Sequence, residues 1–188
     1  MPAWFTLRQK ALLGSAVAAL LTVGAVGVVG SSSAAAALAD AAPVPAGTTY
    51  DAIPPEIQVP PGNTLAARFS ARGVQVYQCT TGAWAFLEPA AVLGDWSPAA
   101  IHFRGPSWES TRDGSLVVGK VVASSPVAGS IPQLLLQATT TRGDGIFGDV
   151  TYIQRLNTTG GVAPTTTCTD GQTEGVAYTA EYRFYVAS

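Results

Sequence analysis

The chain has 188 residues, 47% of them hydrophobic and 12% charged, with 10 basic and 12 acidic side chains. Residues 40–188 carry 8 basic against 12 acidic groups, a net charge of −4 with no basic cluster, which excludes a dedicated nucleic-acid binder. One histidine and two cysteines exclude sites built on paired imidazoles and every cysteine-rich zinc or iron–sulfur motif, so no metal and no cofactor is expected.

Arg8 and Lys10 precede an apolar run over residues 11–30, and no charged side chain occurs from there until Asp40. This three-part layout, ending in the small-residue site Ala37-Leu38-Ala39, reads as a cleaved signal helix over residues 1–39. The alternative is a membrane anchor formed by an uncleaved segment 11–30, since about 20 apolar residues span a bilayer. On the first reading the membrane is met only during export and the protein is secreted or held at the cell surface. The remaining 149 residues suit one domain.

Export makes the cysteines informative. Cys79 and Cys168 are the only candidates for each other, and an oxidising compartment favours a disulfide. Such a bridge stabilises the fold by about 4 kcal/mol through loop entropy. Two free thiols, one of them a nucleophile activated by His102, form the alternative.

Six prolines fall between residues 40 and 62, where no apolar period is present, so this stretch reads as a Pro-rich linker or an arm laid along a domain that starts near Asn63. From there the period is two. Leu65, Ala67, Phe69 and Ala71 alternate with polar or small residues, and VQVYQC comes after Gly73, which predicts two strands. Thr81-Gly82 predicts a turn, and Pro89 to Leu93 one short helical turn. Asp113-Gly114 predicts a hairpin. LVVGKVV and LLLQA, apolar on both faces, predict strands that are central or covered by two layers. Tyr178, Ala180, Tyr182, Phe184 and Val186 fall on one face of a last strand. Seven to nine strands make residues 63–188 a single all-β domain, an antiparallel β-sandwich or barrel with at most short helical turns.

Residues 143–148, GDGIFG, satisfy the G-x-G-x-x-G spacing of dinucleotide sites. The next segment is the alternating DVTYIQRL and not a helix, so a hairpin loop accounts for the glycines. The stretch richest in chemistry is HFRGPSWESTRDG, residues 102–114. His102, Arg104, Trp108, Glu109 and Asp113 there give an imidazole, a guanidinium, an indole and two carboxylates around a Gly-Pro turn, a set suited to a small anion or a sugar. The plainer reading makes Glu109 and Asp113 a solvated loop and His102 a buried strand residue. No G-x-S-x-G elbow occurs after residue 39, so no catalytic residue is assigned. Trp84, Trp96 and Trp108 are either sugar platforms or core.

The blocks GVQVYQC (73–79), HFRGPSW (102–108), DGSLVVG (113–119), IPQLLLQA (131–138), GIFGDVTYIQRLNTTGG (145–161) and YTAEYRFY (178–185) resemble the secreted bacterial and fungal family catalogued as domain of unknown function 3455, over about Ile53 to Val186. The resemblance implies one exported β-rich domain with a Cys79 to Cys168 bridge and no established activity. Some fungal members carry a malate dehydrogenase label. The residues here do not support it, because no strand–helix unit surrounds GDGIFG.

These features lead to the expectation of a non-catalytic β-domain that binds a glycan or a cell-envelope component through residues 102–113. The rivals are a small extracellular hydrolase using carboxylates of that segment and a structural envelope protein without a small-molecule site.

Overall fold

Strict alternation in YTAEYRFYV requires a strand with one buried face, and the computed structural model supplies it: Tyr178, Ala180, Tyr182 and Phe184 all point into the core. The structure describes residues 52–188 apart from 95, 96 and 98. Residues 1–39, expected to be a signal helix, and residues 40–51 lie outside the described residues. Eight strands run in chain order: β1 (Asn63–Thr80), β2 (Ala83–Leu93), β3 (Ala100–Phe103), β4 (Ser107–Ser110), β5 (Leu116–Val127), β6 (Ser130–Arg142), β7 (Val150–Gly160) and β8 (Thr173–Ala187). Each pairs antiparallel with the next, and β8 returns to β1, so the sheet closes on itself. Of the two architectures expected, the barrel is the one formed. The only described helix is a 3₁₀ turn, Pro55–Ile57, and no described helix is long and apolar enough to cross a membrane.

Two local expectations are corrected. The stretches on either side of Gly73 form one 18-residue strand, because Gly73 is a point of close approach and not a break. A Cβ there would collide with the backbone of Ala90 and Ala91 on β2. Pro89 to Leu93 is strand, not helix: its partners on β1 are Gln75 to Ala71, and Val92 is β-branched. The turns fall where expected. Thr81 (φ 53°) and Gly82 (φ 75°) adopt the left-handed pair that links β1 to β2, and residues 143–149, with their glycines, form the β6–β7 loop and not a nucleotide cradle.

The lumen is filled by Leu93, Trp108, Val117, Leu136, Ile153 and Phe184 with their neighbours. A second, smaller cluster lies outside the ring, where Ile57 packs on Leu135 and Leu156. Its backbone is held by Gln154, whose Nε2 donates to Ile57 O at 2.7 Å. LLLQA is therefore covered on both faces as predicted, by the lumen at Leu136 and by the arm at Leu135. LVVGKVV is not: Val121 and Val122 are 46% and 48% exposed.

Cys79 and Cys168 are joined, excluding the free-thiol alternative. The bridge fastens residues 161–172 across the end of the barrel, where Trp84 Nε1 donates to Thr166 O and Gly82 N to Asp170 Oδ1. Because it closes a separation of 89 residues, replacing both cysteines by serine is expected to lower unfolding free energy by about 4 kcal/mol. Urea titration of the oxidised protein and the double variant measures this, and coincident midpoints would show that the bridge carries no such constraint.

Candidate functional site

The ring is uneven. β3 and β4 have four residues each, whereas their neighbours β2 and β5 have 11 and 12. β3 pairs with β2 only through Ala91, Val92 and Leu93, and β4 pairs with β5 only through Leu116, Val117 and Val118. Residues 83–90 of β2 and 119–127 of β5 consequently have no strand partner on their facing sides among the described residues. The wall has a notch there, and the β3–β4 turn, residues 104–106, forms its sill.

Behind the notch lies a cavity of about 380 Å³. Phe86, Leu87 and Pro89 line it from β2, Val121 from β5, and Leu134 and Leu136 from β6. Its inner end is a ring stack. His102 and Trp108 face each other across the β3–β4 ladder, with ring centroids 4.4 Å apart and planes 3° from parallel. Tyr182 meets both rings edge-on, at 5.2 and 5.4 Å. Gly119 makes the stack possible, since a Cβ at that position would press on Trp108 Cζ3 and Leu136 Cβ at 3.3 Å.

Polar chemistry in this lining is sparse. His102 is 3% exposed, and its Nδ1 lies 2.9 Å from Ser107 O. A carbonyl only accepts, so Nδ1 carries the proton and Nε2 is a bare acceptor. Burial lowers the imidazole pKa to about 3, the Ser107 bond opposing this in part, so the ring is neutral at physiological pH. Trp108 is 1% exposed, and its Nε1–H has no acceptor among the described residues. At the rim, Arg104 Nε donates to Glu88 Oε2 at 3.0 Å, joining the turn to β2.

Of the five residues singled out in sequence, His102, Arg104 and Trp108 meet in this cavity and Glu109 and Asp113 do not. Glu109 accepts from Arg142 Nη2 at 2.8 Å. Asp113 accepts from Ser115 N and Oγ and from Ile146 N, fastening the β4–β5 turn to the β6–β7 loop. The Ser115 hydroxyl bond foremost, with these N–H donors, holds its carboxyl at a pKa of about 2. Both carboxylates are structural ties. Sequence reasoning missed Phe86, Leu87, Pro89, Val121, Leu134 and Leu136. The double-faced apolarity of LVVGKVV and LLLQA was the one signal for Val121, Leu134 and Leu136, and it reads equally well as covered strands. No group of three or more metal-ligating side chains converges among the described residues.

Fold and site together define a disulfide-braced, up-and-down eight-stranded β-barrel with a side-opening apolar cavity. Residues 96–186 match the family described as a protein of unknown function (DUF3455), which supports membership of that family. No curated protein and no solved structure matches it. The matched span is narrower than the resemblance seen in the sequence. It contains β3 to β8, with the His102–Trp108 stack, but not the β2 rim.

The depressed imidazole pKa sets a pH dependence. Below about 6.5 the unfolded chain binds a proton that the folded chain refuses until about pH 3, so this contribution to stability is complete above 6.5 and falls as pH drops through that window, by about 1.4 kcal/mol per unit. Denaturation midpoints between pH 4 and 7 for wild type and His102→Gln check it, the variant having the flatter profile. Because the chain has one histidine, imidazole NMR gives a second reading, and a ring that titrates near 6.5 contradicts the assignment.

Proposed function

We propose that this protein is a non-catalytic binder of a small, largely apolar molecule, which enters the barrel through the notch between β2 and β5. The observation that carries this reading is the cavity itself: about 380 Å³, walled by aliphatic and aromatic side chains, and reaching the buried residues of the lumen at Trp108 and Leu136. Secretion belongs to the same proposal, supported by the amino-terminal segment and by a disulfide that an oxidising compartment maintains.

The apolar lining favours a different ligand from the sugar that the sequence suggested. Glycan sites commonly offer an open aromatic platform, whereas Trp108 is enclosed between His102, Tyr182 and Phe184. If the occupant belongs to the cell envelope, its hydrocarbon part is what this cavity accommodates. The hydrolase reading loses its motivation, since among the described residues Glu88 is the only carboxylate lining the cavity and is paired with Arg104, while a glycosidase needs two flanking the bond. A purely structural role leaves the cavity without an explanation.

Titration with the neutral fluorescent probe N-phenylnaphthylamine tests the proposal. Saturable binding with a micromolar Kd is expected, weakened at least about tenfold by Leu134→Trp, which fills the cavity, and unchanged by Glu109→Gln. Absence of saturable binding, or binding indifferent to Leu134→Trp, would defeat it.

A further inference from the structure

The side-chain polar atoms around the cavity can be matched one by one. Glu88 and Arg104 satisfy each other at the rim. The Tyr182 hydroxyl, 3.5 Å from that of Tyr178, is also engaged by the Arg155 side chain. Two side-chain atoms remain in the ring stack: His102 Nε2, left as an acceptor by the bond of Nδ1 to Ser107 O, and the Trp108 Nε1–H, a buried donor without a partner among the described residues.

An occupant suited to this inner end is neutral, apolar over most of its surface, and able to donate a hydrogen bond. A hydroxyl does so. A carboxylate only accepts, so it would set its lone pairs against the bare Nε2 and lose its hydration to aliphatic walls. An ether accepts but cannot donate, and a hydrocarbon does neither.

We propose that the cavity selects hydroxyl-bearing apolar molecules, of the alkylphenol or long-chain alcohol class, with His102 Nε2 accepting the ligand O–H beside the Trp108 indole. His102 is then a specificity-determining residue, and Ser107 O is the positioning group that sets its tautomer. This deepens the proposal of an apolar ligand site and rests on it.

Calorimetric titration with three ligands of nearly equal size separates the two claims: para-hexylphenol, its methyl ether para-hexylanisole, and hexylbenzene. The phenol is expected to bind about tenfold more tightly than the other two, the worth of one buried hydrogen bond. His102→Phe, which retains a ring for the stack, is expected to bring the phenol down to the level of the ether. A second readout needs no variant: the His102 Nε2 resonance should move upfield on adding the phenol and stay in place with the ether. Equal affinity for phenol and ether, or an unmoved Nε2 resonance with phenol bound, overturns the hydroxyl selection and leaves the cavity as a ligand site. Failure of all three compounds to bind overturns both.

Discussion

Closure of the ring is the constraint on which everything else rests. β1 and β8 run alongside each other for nearly their whole length, from Asn63 opposite Ala187 to Gln78 opposite Thr173, and this ladder turns a meander into a barrel. A closed ring needs every strand, including the two of only four residues. Short strands between long ones satisfy closure at one level of the barrel and fail to wall it at another. The notch is thus a consequence of unequal strand lengths in a sheet that must still close. The bond from Gly119 N to Pro106 O, at 3.0 Å, marks where the wall ends.

A core behind an incomplete wall has to be stable without it. Trp108 contacts His102, Tyr182 and Phe184, and such ring pairs contribute about 0.5–1.5 kcal/mol each beyond area burial. Together they offset the cost of about 1–3 kcal/mol for an indole N–H without an acceptor. His102 is tolerated for a related reason: one nitrogen is satisfied by Ser107 O, and the ring is kept neutral, so no charge is buried. A phenylalanine would pack as well and carry no orphan polar atom. Polar atoms kept in an apolar floor are the feature that packing alone does not explain.

The sequence disclosed the strands better than it disclosed the cavity, for a physical reason. Alternation is local, so β8 and the turns at Thr81-Gly82 and Asp113-Gly114 were legible residue by residue, as was the loop reading of GDGIFG. Gly73 misled because a glycine between two β-runs has the same local signature whether it breaks a strand or admits a neighbouring backbone, and only the Ala90–Ala91 contact distinguishes the two. Likewise, Glu109 and Asp113 sit within a few residues of Trp108 and share its segment, yet the alternation of β4 sends Trp108 inward and Glu109 outward to Arg142. The cavity walls come from β2, β5 and β6, distant in sequence from His102. Their convergence depends on ring order and on strand ends, neither of which a periodicity encodes.

A notch also leaves two strand edges without a strand partner among the described residues, and such edges invite pairing with other chains. The sequence tempers this. Pro89 has no N–H to offer from β2, Lys120 places an exposed charge on β5, and Pro126 interrupts the donors near that strand's end. Between these residues the rim carries exposed apolar groups, Phe86 at 56% and Val121 at 46%. An edge protected against other strands but left apolar beside a cavity is what an opening for a small molecule requires. A wall designed only to resist aggregation would have placed its charges at Phe86 and Val121 as well.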